Sequence, residues 1–480
     1  MVLMILQLLV VLAALYFGSR YGSLALGAFS GIGLAILVFG FGMKPGTPPT
    51  DVIYIIVAAV TCAGALQASG GMNWLIQLAE KLLRRHPAHI TFLAPLCTFF
   101  LTVLVGTGHV VYTLMPIIAD ISLKKGIRPE RPCAVASVAS QVGITCSPIA
   151  AAVVALVSIS NINGYNISIP EVLMISLPAC LCGLLGASLV SYRRGKELSE
   201  DPEFLAKLKD PEQREYIYGD NTTTLDEKVS PTAKRAVWIF LGAIALIVFF
   251  ASVPSALPSY QLLTTVPGAK GTTLSDGTFM SAESLVKAGI AVAGVTEFTR
   301  HHLAMNLVIQ IVMIMAAALI FIFCKASPKK AVTGAVWQNG MVAVVAIYGI
   351  AWLADTYFAH YMPMLKDGLG AVIAEYNWAI AIVFFIVSIL INSQGAVVVS
   401  MVPLAYAMGI PGWVILGVFP SVYGYFFLPN YPSDIATVNF DRSGTTKIGK
   451  YLLNQSFMIP GLVSVGCATL VSYLLASVLL

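Results

Sequence analysis

The sequence predicts an all-α polytopic membrane protein built from two repeats of inverted topology. Three observations predict it. The 480 residues are 58% hydrophobic and only 11% charged, far below the quarter charged that soluble chains carry, and the mean hydropathy is +0.84. Apolar runs of membrane-spanning length recur along the whole chain. One pattern, an apolar run interrupted near its middle by small polar residues, occurs twice. The first copy is Leu96–Asp120, broken at Gly106-Thr107-Gly108-His109; the second is Phe384–Ala407, broken at Asn392-Ser393-Gln394-Gly395. In lipid every backbone N–H and C=O needs a partner within the protein, so a polar break at membrane depth is costly unless it lines a cavity. Matched breaks in two halves point to a binding site near the membrane midplane.

In chain order, spans are expected at 2–17 and 22–42, with Gly18/Gly22 and Gly27/Gly31 spaced for close helix packing. The first span is read as retained, since MVLMILQLLV lacks the basic start of a signal peptide. A Pro-rich turn at 44–51 leads to a span at 52–68. Residues 72–86 place Trp74, Leu75, Leu78, Leu82 and Leu83 at helical spacing with charges between them, as in an amphipathic helix at the interface. The first broken pair covers about 90–119 and returns to the basic segment 123–132. A discontinuous span at 133–158 is interrupted around Gln141–Pro148, because proline lacks an N–H and disfavours helix in the residue before it. Span 170–192 then ends at Arg193, Arg194 and Lys196.

Residues 193–235 form a charged linker with basic residues at both membrane edges. The second half repeats the order: span 236–252, an outside loop at 254–302, spans 303–324 and 333–354, and an interfacial segment at 355–376. The second broken pair at about 378–408, an interrupted span at about 413–433, the basic stretch 441–450 and a last span at 455–479 complete it. The chain therefore divides into a first repeat, 1–192, a cytoplasmic linker, 193–235, and a second repeat, 236–480. Each repeat holds three spans, an interfacial segment, a broken hairpin, a discontinuous span and a last span. Placing basic loops inside opens the first hairpin to the cytoplasm and the second to the outside, and puts both termini outside. The hairpins and discontinuous spans are expected to move against a scaffold of the remaining spans.

Several chemistries find no support. The eight cysteines show no metal or disulfide spacing. Gly444–Lys450 matches the start of a P-loop, but Tyr451 replaces the required Ser/Thr and no strand precedes it. No hydrolase or metalloprotease motif is present, so no enzyme, cofactor or metal is expected.

Short helices ending at the membrane middle expose unpaired N–H groups and the positive ends of their dipoles, which attract carboxylates or phosphates. The candidate substrate-binding residues are Thr107, Gly108 and His109 at the first tip and Asn392, Ser393 and Gln394 at the second. The discontinuous spans add Gln141, Thr145, Ser147, Asn430 and Ser433. Asp434, beside an apolar break, is read either as a proton or cation site or as a helix N-cap. Two anion-binding ends suit a substrate with two carboxylates; citrate, sulfate or a sodium-coupled neutral solute fits the same chemistry.

LLRRHP (82–87), GTGHVVYT (106–113), IRPERP (127–132), REYIYGD (214–220), FLPNYPSD (427–434) and FDRSGTTKIG (440–449) resemble the anaerobic C4-dicarboxylate transporter (Dcu) family from end to end. His109 and the YPSD form of the second break are closer to the DcuB type than to the DcuA type. Where the family commonly has LPTYPSD, this chain has Asn430 in place of the threonine; an amide keeps hydrogen-bonding capacity, so altered affinity is expected. The resemblance implies a bacterial inner-membrane antiporter exchanging fumarate, malate or aspartate for succinate. It implies an elevator-type fold like the ion-transporter superfamily, a homodimer, and in DcuB-type members a C4-dicarboxylate sensor histidine kinase as partner. A channel, a cation-coupled symporter and a dicarboxylate-binding co-sensor are the competing readings; no nucleic-acid partner is expected.

Overall fold

Short backbone breaks decide how the apolar runs divide. The computed structural model describes residues 2–21, 24–165, 167–219, 222–265, 271–273, 279–281, 284, 291–293, 298–428, 431–450 and 454–480. Helix α1 (Val2–Tyr21) leads to α2 (Ala25–Ala35), which winds on as a π-helical turn, Ile36–Gly40. Helix α3 (Thr50–Ala68) meets α4 (Gly71–Arg85) at a bend of 71°, with Gly70 at φ +80°. Glycine takes that left-handed conformation without strain, so the amphipathic helix separates from the span before it. In α4, Met72, Leu75, Ile76, Ala79 and Leu83 form one buried face, while Leu78 and Leu82 stay exposed.

Helices α5 (Ile90–Val105) and α6 (Val111–Lys125) make the first hairpin. The first broken span is α7 (Glu130–Val142), a 3-10 turn, Gly143–Cys146, and α8 (Ala151–Ile162), with Pro148 in the non-helical link. Helix α9 (Ile169–Tyr192) starts at a capping box formed by Ser168 and Glu171. The linker folds as α10 (Pro202–Leu208) and α11 (Pro211–Tyr218) before α12 (Pro231–Ser252).

The loop after α12 carries short strands. β1 (Ser259–Thr265) pairs with β4 (Ala291–Ala293) in parallel and with β5 (Phe298–His302) in antiparallel, while β2 (Gly271–Thr273) pairs with β3 (Phe279–Ser281). The all-α expectation thus holds for the apolar runs. Strands occur in a loop expected in water, where backbone groups need no helix for their partners.

Helices α13 (Met305–Cys324) and α14 (Pro328–Thr333) precede α15 (Ala335–Glu375). The expected interfacial segment at 355–376 is not separate: α15 runs through it. Residues 354–356, Ala-Asp-Thr, contain neither glycine nor proline to end the helix, unlike Ser69-Gly70. The second hairpin is α16 (Ile380–Ile391) and α17 (Gln394–Ala407). The second broken span is α18 (Gly412–Gly417), a 3-10 turn, Phe419–Val422, and α19 (Pro432–Phe440); α20 (Met458–Leu479) closes the fold. Among the described residues, seven helices are long and apolar enough to cross a membrane, or eight if α3 and α4 count as one span. The 12 residues of α16 and 14 of α17 measure only about 18–21 Å, short of the ~30 Å hydrocarbon core.

Helices α1, α2, α3, α12, α13 and α15 pack on one another, and α5, α7, α9 and α20 form a second group. Small residues set both. A Cβ on Gly27 would lie 2.2 Å from the Val345 carbonyl oxygen, and one on Gly183 would lie 2.3 Å from that of Ser464. Helices α9 and α20, expected with the uninterrupted spans, instead join the hairpin and broken-span side.

The charged linker is stapled at two places. Arg128 pairs with Glu130 at 2.7 Å and Asp201 at 2.5 Å, and Arg131 pairs with Glu197 at 2.9 Å. At its other end the linker crosses α4, where the buried Glu80 carboxylate accepts from the Thr224 hydroxyl (2.6 Å), the Thr224 N–H (2.8 Å), the Thr223 hydroxyl (2.7 Å) and Arg84 Nε (2.7 Å). A buried charge persists only with such partners. Glu80→Ala is expected to raise the rate of limited proteolysis within residues 222–230 about tenfold or more, since the stranded donors forfeit about 1–3 kcal/mol. An unchanged cleavage rate would show that Glu80 does not hold the linker.

Candidate functional site

Both hairpin tips are made from the same parts: a helix end, a left-handed residue, a hydroxyl cap and a new helix start. In the first, α5 closes at Gly106, φ +79°, whose N–H donates to the Thr102 carbonyl at 2.8 Å. Thr107 is extended, and its hydroxyl accepts from the His109 N–H at 3.5 Å. In the second, α16 closes at Asn392, φ +55°, whose N–H donates to the Ser388 carbonyl at 3.1 Å. Ser393 is extended, and its hydroxyl accepts from the Ala396 N–H at 3.3 Å. Asparagine is among the few non-glycine residues that tolerate the left-handed region. A hydroxyl that accepts in a cap still has its own hydrogen to donate.

The two tips line one cavity of about 630 Å³. Thr107, Gly108 and His109 contribute from the first, and Asn392, Ser393 and Gln394 from the second. Helices α3 and α15 close it with mainly small and apolar side chains plus the amide of Asn339; Tyr425 and Tyr431 come from the non-helical part of the second broken span. Among the described residues no lysine or arginine lines the wall, whose ionisable side chains are His109 and the two tyrosines. The His109 ring stacks on Tyr112 with centroids 5.8 Å apart. Among the described residues, no group of three or more His, Cys, Asp and Glu side chains is placed to hold a metal.

Gln141 ties these parts together from behind the wall. The Tyr425 hydroxyl donates to Gln141 Oε1 at 2.7 Å, and Gln394 Nε2 donates to the Gln141 carbonyl oxygen at 2.8 Å. Gly108 approaches so closely that a Cβ there would sit 2.4 Å from Gln141 Nε2 and 2.8 Å from the Ser140 carbonyl oxygen. One residue of the first broken span, through its side chain and its carbonyl, therefore touches both tips and the second broken span.

The other expected site residues that the structure describes do not line the cavity. Thr145 is buried and donates to the Val142 carbonyl at 2.8 Å. Ser147 is fully buried, and its hydroxyl has no hydrogen-bond partner among the described residues. The Ser433 hydroxyl lies 3.4 Å from that of Ser137. Asp434 is also buried; its Oδ1 accepts from the Ser137 hydroxyl at 2.7 Å, whereas its Oδ2 has no partner among the described residues. The N-cap of α19 is Tyr431, so the capping role proposed for Asp434 is not what the carboxylate performs. Asn430 lies outside the described residues. Sequence reading missed Asn339, Tyr425 and Tyr431. An amide pair, Gln338-Asn339, inside an apolar span is itself a signal; the tyrosines are indistinguishable in sequence from packing aromatics.

Broken helices whose ends surround an interior polar cavity define a membrane transporter. Two solved transporters share the fold. The Alcanivorax borkumensis YdaH transporter matches with a TM-score of 0.50 at 14% identity, covering 88% of this chain and 85% of that one. MtrF of Neisseria gonorrhoeae matches with a TM-score of 0.50 at 12% identity, covering 98% and 94%. The family model described as "anaerobic c4-dicarboxylate membrane transporter" matches residues 3–480, and the chain belongs to that family. Anaerobic C4-dicarboxylate transporter DcuB of Escherichia coli O6:H1 is 42% identical over 474 residues, 98% of each chain. C4-dicarboxylate transporter DcuA of Wolinella succinogenes is 32% identical over 485 residues, 100% of each. The DcuB type is thus the nearer of the two, and the protein is a transporter rather than an enzyme.

Gly108→Ala tests the contact at Gln141. Its added methyl is expected to push the first tip off the broken span and cut transport at least tenfold, while the folded fraction after gel filtration stays unchanged. Wild-type transport by this variant would show that the close approach is unnecessary.

Proposed function

We propose that the protein is an antiporter that exchanges fumarate, malate or aspartate for succinate across the bacterial inner membrane, with the dicarboxylate held between the two tips. The observation that carries this reading is the convergence of two polar tips, almost 300 residues apart in sequence, on one cavity. Donors fit a dicarboxylate there: the Thr107 and Ser393 hydroxyls, the Asn339 amide, and the N–H groups that start the helices beyond each tip. The absence of lysine and arginine from the wall among the described residues favours reversible binding, as exchange requires. Thr145, Ser147 and Ser433, behind the wall, and Asn430, read from the sequence, belong to the proposal as further substrate-binding residues, and Asp434 is assigned as a proton or cation site.

The same reading takes 1–192 and 236–480 as inverted repeats joined by a cytoplasmic linker, with both termini periplasmic. The hairpins, broken spans, α9 and α20 act as the moving part, and α3 and α15 offer it small and apolar side chains to slide past. A homodimer and a C4-dicarboxylate sensor histidine kinase as partner belong to the proposal through the family alone.

Counterflow in proteoliposomes tests the exchange. Vesicles loaded with unlabelled succinate are expected to take up labelled fumarate rapidly, and unloaded vesicles are not. Thr107→Ala or Ser393→Ala is expected to lower the initial rate about tenfold or more, because each loses a hydrogen bond to a charged group worth about 1.5–3 kcal/mol. Equal uptake into unloaded vesicles would replace antiport with uniport or symport, and single-channel currents would replace the carrier with a channel.

A further inference from the structure

We propose that a phospholipid acyl chain occupies a crevice between the second hairpin and helices α1 and α15. The inference goes beyond the exchange reading: none of the residues lining this crevice lines the cavity between the tips.

Four helices meet here without closing on one another. On α16, Ile380, Val383, Val387 and Ile391 recur at helical spacing along the crevice, and Met401 and Leu404 of α17 continue the wall. Leu8 and Leu12 of α1 and Leu353 and Phe358 of α15 form the other side. Apolar faces ordinarily interlock at close packing. These enclose about 470 Å³, and a void of that size is strongly destabilising if nothing fills it.

Water does not suit the space, because a buried water needs several polar partners. Among the described residues lining the crevice, the polar side chains are Tyr376, Asn377 and Ser400. The Ser400 hydroxyl bonds within its own helix, donating to the Ala396 carbonyl at 2.7 Å. Tyr376 and Asn377 stand at one end, at the 3-10 turn Asn377–Ala379 from which α16 starts. There Asn377 Oδ1 accepts from the Tyr473 hydroxyl at 3.1 Å. A cavity walled by apolar groups stays dry and takes up hydrocarbon.

The bilayer supplies that hydrocarbon. Leu12 and Val383 are 40% and 42% exposed, and both sit within apolar helices, where an exposed side chain meets lipid tails. The crevice therefore opens sideways to the tails. Tyrosine favours the headgroup level, so the Tyr376 end marks the interface, and the buried Ile391 closes the inner end. Helix α16, which sets the length, has 12 residues, about 18 Å, close to one leaflet's half of the ~30 Å core. One acyl chain entering from the interface matches that length. A second copy of the protein offers convex helix surfaces in the membrane, which do not reach the buried Met401 and Leu353. On the exchange reading, α16 and α17 move while α1 and α15 stay; a fluid chain between them yields where a fixed side chain would pin the hairpin.

The test is photolabelling of the full chain in phosphatidylcholine proteoliposomes whose lipid carries a diazirine midway along one acyl chain, with adducts assigned to residues by mass spectrometry. Buried Met401 and half-buried Leu404 are expected to carry adducts within about threefold of those on Ile311, a 57% exposed residue of α13. Val387→Trp and, from the opposite wall, Leu8→Trp are each expected to lower Met401 labelling about tenfold or more. Ile311 labelling and gel-filtration behaviour are expected to stay unchanged in both, a pattern that misfolding cannot produce. Labelled Ile311 with unlabelled Met401 and Leu404 would overturn the acyl-chain site. A disulfide between copies gained by Leu12→Cys but not by wild type, with Met401 unlabelled, would give the crevice to a second copy instead. Labelling of Met401 without counterflow of any C4 diacid would keep the lipid site and overturn the exchange reading; counterflow without that labelling would do the reverse.

Discussion

The structure depends on one constraint: backbone polar groups at membrane depth must find partners inside the protein. An unbroken helix meets it alone. A helix that stops short does not, and the described residues contain four such stops, at the two hairpin tips and in the two broken spans. The chain's solution is to bring them together. Gln141 in the first broken span takes hydrogen bonds from Tyr425 in the second and from Gln394 at the second tip, while Gly108 of the first tip packs against it. The polar interior is thus a shared consequence of the breaks, and the cavity forms where their ends meet.

The tips divide their hydrogen-bonding labour. At each, a hydroxyl accepts from the next helix start, as Thr107 and Ser393 show, which leaves its own hydrogen to donate. The second tip adds amide oxygens with no protein donor among the described residues. Donors and acceptors therefore sit side by side in a wall without fixed positive charge. Around this core, glycine contacts such as Gly27 with Val345 and Gly183 with Ser464 let helices approach closely without a hydrophobic driving force between them. The linker, rich in charges of both signs, is held to helix α4 by the buried carboxylate of Glu80 and to the first broken span by Arg128 and Arg131.

Much of this was legible in the residues. Gly70, Gly106 and Asn392 occupy left-handed positions where the chain turns, and Pro148 lies where the first broken span is interrupted. Such breaks depend on local backbone chemistry, which sequence carries directly. The two tips were legible for the same reason, since a cluster of small polar residues within an apolar run is costly in lipid unless it lines a cavity. The place of Thr145, Ser147 and Asp434 behind the cavity was not legible. A polar residue near a break faces the ligand or the neighbouring helix according to rotation about the helix axis, and neighbours set that rotation.

The sequence by itself determined that the chain lives in a membrane, where the hairpin tips and the first broken span are interrupted, and which family it joins, because hydropathy, backbone breaks and motif identity are local properties. Tertiary structure alone decided that both tips share one cavity, that Asn339, Tyr425 and Tyr431 complete its wall, and that α9 and α20 pack with the broken helices. These outcomes turn on contacts between residues hundreds of positions apart. Such contacts follow from the fit of helix surfaces, with Gln394 against Gln141 as the clearest case, and no single stretch of sequence contains both partners.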